Sequence, residues 1–146
     1  MDADAEFDIR EFIPYLLNQA AEESSLAFQR IYKNRYGLLR AEWRVLFHLG
    51  VYKCMTAKDI GFMAKMHKTK ISRAVQKMQE KGYLTRVQDN LDRRKEWLEL
   101  TVKGKAVYTD LRQAAKEYDA VLVAHLSAMD ASTLKRLLKV LTLKTA

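Results

Sequence analysis

Residues 68–82 read KTKISRAVQKMQEKG, and their spacing decides the fold. Ile71, Ala74, Val75 and Met78 recur at i, i+3, i+4 and i+7, which is one face of an α-helix at about 100° per residue. The opposite face is Thr69, Arg73 and Gln76, with Lys70, Ser72 and Lys77 beside it. The pattern predicts a helix from Lys68 to Lys81, apolar inward and cationic outward. It stops at Gly82, because glycine tolerates the positive φ of a helix end.

The period changes immediately downstream. Tyr83–Val87 and Glu96–Leu100 read as strands, and residues 88–95, QDNLDRRK, are polar and charged. Together they predict a β-hairpin with a long basic tip. Upstream, Thr56 stands where a helix cap belongs and Asp59 where a capping-box acid sits. A short helix follows, with Ile60, Met63 and Ala64 as its apolar side. Before it, Trp43, Leu46, Phe47 and Gly50 share one side of a helix over about 40–49. A longer helix starts near Pro14, a residue suited to the first turn, and ends at Gly37. At the other end Thr101 caps a helix to about Leu126, with a stripe of Val107, Leu111, Ala114, Tyr118, Val121 and Leu122. Asp130 is the expected cap of a last helix carrying Leu134, Leu137, Leu138 and Leu141.

Helix, short helix, tight turn, helix and hairpin, in that order, describe a winged helix-turn-helix. The fold class expected is mainly α with a small β-hairpin wing. Such units place the second helix in the major groove, where base pairs show distinguishable donor and acceptor patterns. Lys68, Thr69, Lys70, Ser72, Arg73, Gln76 and Lys77 are the candidate contacts on that helix. Arg73 suits a bidentate fork to guanine. In the wing, Asp92, Arg93, Arg94 and Lys95 are the candidates. Arg94 is expected in the minor groove, oriented by Asp92, and Arg93 and Lys95 nearer the phosphates.

Charge agrees with this reading. The 146-residue chain carries a formal net charge of +8. Residues 56–95 hold 11 Lys/Arg against 4 Asp/Glu, and the other 106 residues hold 15 against 14. The excess is confined to one block, a field suited to a polyanion.

The same residues resemble the MarR family of bacterial regulators. The resemblance covers essentially the whole chain. Its sharpest parts are Tyr36–Leu46, His67–Val75, Gly82–Arg86, Asp92-Arg93-Arg94, and Leu100-Thr101 followed by Gly104. It implies one domain over 1–146, in which 1–37 and 101–146 form a helical dimerisation region around a DNA-binding lobe at 38–100. It also implies a two-fold homodimer on a palindromic double-stranded operator, usually as a repressor. Many members leave DNA when a small aromatic or phenolic effector binds, and others respond to cysteine oxidation. Independently, the terminal helices carry broad apolar stripes, which suit either a dimer or the subunit's own core. Three positions depart from the family pattern. Leu39 and His67 stand where capping Thr, Ser or Asp is usual, and Lys65 stands where Gly is common. Each departure is expected to weaken local capping by about 1 kcal/mol.

Other chemistry finds little footing. His48, His67 and His125 show no metal-ligand spacing, and the five glycines form no phosphate loop. Neither an enzymatic role nor a metal or cofactor is expected. Cys54 reads as a small buried hydrophobe, or as a thiol whose pKa Lys53 lowers. Trp43 and Phe47 can border an apolar cavity, and Arg44 and His48 can meet a carboxylate, but no effector residues follow from that. The acidic N-terminus is unlike a secretory signal, and no apolar run approaches a membrane span, so a cytoplasmic protein is expected. A competing function is a winged-helix protein-interaction or architectural module with weak sequence preference.

Overall fold

The helices begin and end where local chemistry satisfies their free backbone groups. The computed structural model describes residues 6–143. A 3-10 turn (Ile9–Glu11), six α-helices and three strands are found there: α1 (Ile13–Tyr36), α2 (Arg40–Tyr52), β1 (Cys54–Met55), α3 (Ala57–Ala64), α4 (Lys68–Glu80), β2 (Leu84–Gln88), β3 (Glu96–Leu100), α5 (Val102–Leu122) and α6 (Ala128–Thr142). This is the expected mainly α architecture with a small antiparallel wing. Gly37 closes α1 at φ 66°, and its N–H donates to the Lys33 carbonyl at 2.8 Å. Thr56 caps α3, its hydroxyl oxygen accepting from the Asp59 N–H at 3.1 Å.

The sheet has the order β1-β3-β2, antiparallel throughout. Leu84 faces Leu100 and Val87 faces Trp97 across the hairpin. Strand β1 is an addition to the expected hairpin. Cys54 pairs with Glu99 and Met55 with Leu98. Two residues are too few to show a period, so only pairing with β3 defines this strand.

The chain divides into two compact units, one up to Ala114 and one from Ala115 onward. The first unit carries the core. Val45, Leu46 and Leu49 of α2, Ile60 of α3, Ile71, Val75 and Met78 of α4, and Leu98 of β3 are each at most 3% exposed. Full burial of such a side chain contributes about 1.5–3 kcal/mol, so the apolar face of α4 is fixed firmly inward. The second unit holds the end of α5 and all of α6, where no residue is buried.

Three local expectations are corrected. The cap of α6 is Ser127, whose hydroxyl accepts from the Asp130 N–H at 3.0 Å. Asp130 therefore sits in the first turn, where its charge favours the helix dipole. Helix α5 ends at Leu122 rather than near Leu126. Its chain tightens into three-residue turns, with Ala124 N bonded to Val121 O and Leu126 N to Val123 O. Met63, expected inside, is 43% exposed, while Met66 in the following turn is buried.

Candidate nucleic-acid interface

Burial of Ile71, Ala74, Val75 and Met78 dictates what α4 presents outward. Lys68, Thr69, Lys70, Ser72, Arg73, Gln76 and Lys77 are all exposed. The expected partition of this helix is therefore the observed one. The N-terminal end is held by His67, whose Nδ1 accepts from the Thr69 N–H at 3.3 Å. His67 thus caps α4, and the expected loss of capping does not occur there. In the preceding turn Lys65 takes the left-handed conformation at φ 55°, and glycine, the usual occupant, would reach it without strain. Leu39 offers no side-chain cap to α2. Its own N–H donates to the Glu42 carboxylate at 3.3 Å, so half of a capping box survives.

A cleft of about 640 Å³ runs between the start of α2 and the outer side of α4. Five cations, Arg40, Arg44, Lys70, Arg73 and Lys77, line it with one buried carboxylate, Glu42, and with apolar surface from Leu39 and Ala74. Like charges gathered in a concavity focus a positive potential outward.

The wing is tied to this helix at its base. Arg86 on β2 donates through Nε to Gln79 Oε1 at 2.8 Å and lies 3.1 Å from the Glu96 carboxylate. At the tip, one Asp92 oxygen accepts from the Arg94 backbone N–H at 3.0 Å and lies 3.4 Å from Arg94 Nε. Asp92 therefore orients Arg94 in the expected way, while the Arg94 side chain stays 94% exposed. Arg93 and Lys95 are exposed as well, and the Lys95 ammonium lies over the Trp97 ring at 4.8 Å.

Sequence reasoning missed the residue that organises this loop. Asp89 accepts from the N–H groups of Leu91 and Asp92 through one oxygen, and from Trp97 Nε1 through the other at 3.1 Å. The Trp97 bond, then the backbone bonds, hold its carboxyl below the ordinary range. An Asp opening a turn is a recognisable signal. The reach to Trp97 is not, because it needs the strands to be paired first.

Cys54 matches neither expectation. It is exposed rather than buried, and its thiol is pushed up rather than down. Partial desolvation contributes most, then the charge of Glu99 and a hydrogen bond to it. His48 is buried, with Nδ1 2.6 Å from the Arg44 carbonyl oxygen. A carbonyl only accepts, so Nδ1 carries the proton. Trp43 stacks on Tyr32 at 5.7 Å and lies 5.5 Å from Phe47, so these aromatics pack against one another. Among the described residues, no helix is long and apolar enough to cross a membrane.

The sequence profile of the MarR family matches residues 36–95, from the end of α1 to the wing. Over those residues the winged helix-turn-helix is similar to the MarR family. A homoprotocatechuate degradative operon repressor of Escherichia coli is 24% identical over 108 residues, 71% of this chain and 73% of that protein. Among solved structures, a probable transcriptional regulator from Pseudomonas aeruginosa is 26% identical, with a TM-score of 0.80 over 92% of this chain and 99% of its own. A mutant of E. coli MarR in complex with operator DNA is 20% identical, with a TM-score of 0.81 over 94% of this chain and 100% of its own. At that identity the second structure speaks for the fold alone. Gly104, part of the MarR resemblance, has a steric reason here. A Cβ at that position would overlap the Tyr83 carbonyl oxygen, where the start of α5 crosses the start of the wing.

Proposed function

We propose that this chain is a cytoplasmic, homodimeric, sequence-specific DNA-binding repressor, released from a palindromic operator by a small aromatic or phenolic effector. The observation that carries the reading is the partition of α4. Its apolar face is locked in the core, and seven polar or cationic residues, Lys68, Thr69, Lys70, Ser72, Arg73, Gln76 and Lys77, are turned to solvent. Such a face suits the major groove, where Arg73 and Gln76 match base edges and the lysines match phosphates. The wing, with Asp92, Arg93, Arg94 and Lys95, suits the neighbouring minor groove. A protein-binding helix face would be more apolar, so the interaction-module alternative gains no support from α4.

Residues 1–37 and 101–146 are assigned to dimerisation and 38–100 to DNA. Support comes from two exposed apolar stretches, each described in its own unit. Phe7, Ile9, Phe12, Ile13, Leu16 and Leu17 are 37–63% exposed near the N-terminus. In α6, Leu134, Leu137, Leu138 and Leu141 are 40–57% exposed. A helix with four half-exposed leucines on one stripe needs a partner. A two-fold pair places its recognition helices about 34 Å apart, one turn of DNA. The effector class rests on the relative's name and on the family.

Selection of bound duplexes from a randomised pool, followed by a salt titration, tests the proposal. Enrichment of an inverted repeat and a steep loss of affinity with salt are expected. Failure to retain any duplex at low salt removes it.

A further inference from the structure

The wing tip carries a side chain that the arginine-based reading leaves unused. Leu91 is 98% exposed, more than any other large hydrophobic residue among those described. It is the one apolar residue between Asp89 and Lys95. The loop that bears it is tied down rather than loose. Asp89 Oδ2 accepts from the Leu91 N–H at 3.2 Å and the Asp92 N–H at 2.9 Å. Asp89 N donates to Lys95 O at 2.9 Å and Lys95 N to Asp92 O at 3.0 Å. Gln88 Nε2 donates to Arg93 O at 2.8 Å, and Trp97 anchors Asp89 from the strand.

We propose that Leu91 is an apolar wedge that enters the minor groove of the bound duplex beside Arg94, between the phosphate contacts of Arg93 and Lys95. The inference rests on the DNA-binding reading and deepens it. A tied loop holding one leucine in water gains from burial only when a partner arrives. Arg93, Arg94 and Lys95 follow within four residues, so the partner that accepts this tip is anionic. An isolated apolar side chain among cations fits a groove walled by phosphates and floored by sugars and base edges. It does not fit the broad apolar patch of a protein interface. Inserted apolar side chains loosen stacking at flexible base steps and bend the duplex. Leu91 thereby favours operators whose wing-contacting step is easily unstacked, a preference that no hydrogen bond reads.

The test uses the full chain and the duplex that the wild-type protein selects from a randomised pool. Leu91→Ala is expected to weaken binding about tenfold with an unchanged salt slope, because an apolar contact releases no counterions. Leu91→Met retains most of the affinity, and 2-aminopurine at the wing-contacting step brightens on wild-type binding but not with Leu91→Ala. Melting temperatures stay level, since the side chain touches no other residue's core. Equal affinity of Leu91→Ala and wild type overturns the wedge while leaving the DNA-binding reading intact. So does a loss accompanied by a shallower salt slope, which would mean displaced cations. A wild-type protein that selects no duplex removes both readings together.

Discussion

The Lys81 ammonium lies 2.7 Å from the carboxylate of Glu42, a residue only 1% exposed. The same ammonium donates to the Gly37 carbonyl at 2.8 Å, and Glu42 also accepts from the Leu39 N–H. One ion pair thus joins the end of α4 to the end of α1 and the start of α2.

Removal of Lys81 leaves a buried carboxylate with one backbone partner. Breaking a buried pair costs about 3–5 kcal/mol. The Lys81 side chain is 31% exposed, so water relieves part of that cost. Lys81→Met is expected to lose about 2–3 kcal/mol in urea unfolding, and adding Glu42→Gln to recover much of it. A single variant as stable as wild type would show that the pair does not hold the helices.

Arg73→Ala and Arg94→Ala should each cost about 1–3 kcal/mol of specific binding, with the fold intact by circular dichroism. Lys70→Ala and Lys77→Ala should weaken binding across all sequences and lower the salt slope by about 1 each. Operator affinity unchanged in both arginine variants would refute the assigned roles.

Tyr36 and Asp110 make a pH-dependent link between α1 and α5. The phenol donates to the carboxylate at 2.6 Å, and Arg35 lies 3.1 Å from the same oxygen. The Tyr36 bond first, and Arg35 after it, hold the Asp110 carboxyl below its ordinary 3.8. The Tyr36 phenol is raised above 10.0, chiefly by the same bond. Asp110 therefore contributes stability that is present above pH 3.8 and lost as pH falls through its lower folded value. Tyr36 contributes stability that is present below pH 10.0 and lost as pH rises through its higher folded value. Tyr36→Phe should cost about 1 kcal/mol at neutral pH. The gap from wild type should close at both extremes in melting curves. A gap independent of pH would contradict the linkage.

Cys54 should react slowly with thiol reagents at neutral pH despite its exposure, because partial desolvation first, and Glu99 after it, disfavour the thiolate. The rate should climb only as pH passes above the ordinary 9.0. Glu99→Gln should accelerate the reaction at pH 7. A wild-type rate already at its plateau by pH 7 would reverse this assignment.

Gly104→Ala should destabilise the protein by about 1–3 kcal/mol or more. The atoms it meets are the Tyr83 carbonyl oxygen and carbon, which cannot swing aside. Thermal melting reads the loss directly, and a melting point level with wild type would mean that the start of α5 shifts freely.

Features that depend on a few neighbouring residues were legible before folding. The face of α4 followed from its i, i+3, i+4, i+7 spacing, the wing from a change of period, and the ends at Gly37, Thr56 and Gly82 from local backbone chemistry. Even there, Ser127 displaced Asp130 as a cap, because its hydroxyl accepts from the Asp130 N–H and leaves Asp130 in the first turn. The remaining features needed the folded chain. Glu42 and Lys81 lie on different helices, Gln79 meets Arg86 only once the wing folds back, and β1 exists only because β3 supplies its partner. Cys54 is exposed because it takes the face of β1 opposite to buried Met55. Periodicity records which way a side chain faces relative to its neighbours in the chain, and carries nothing about which distant group the fold will set opposite it.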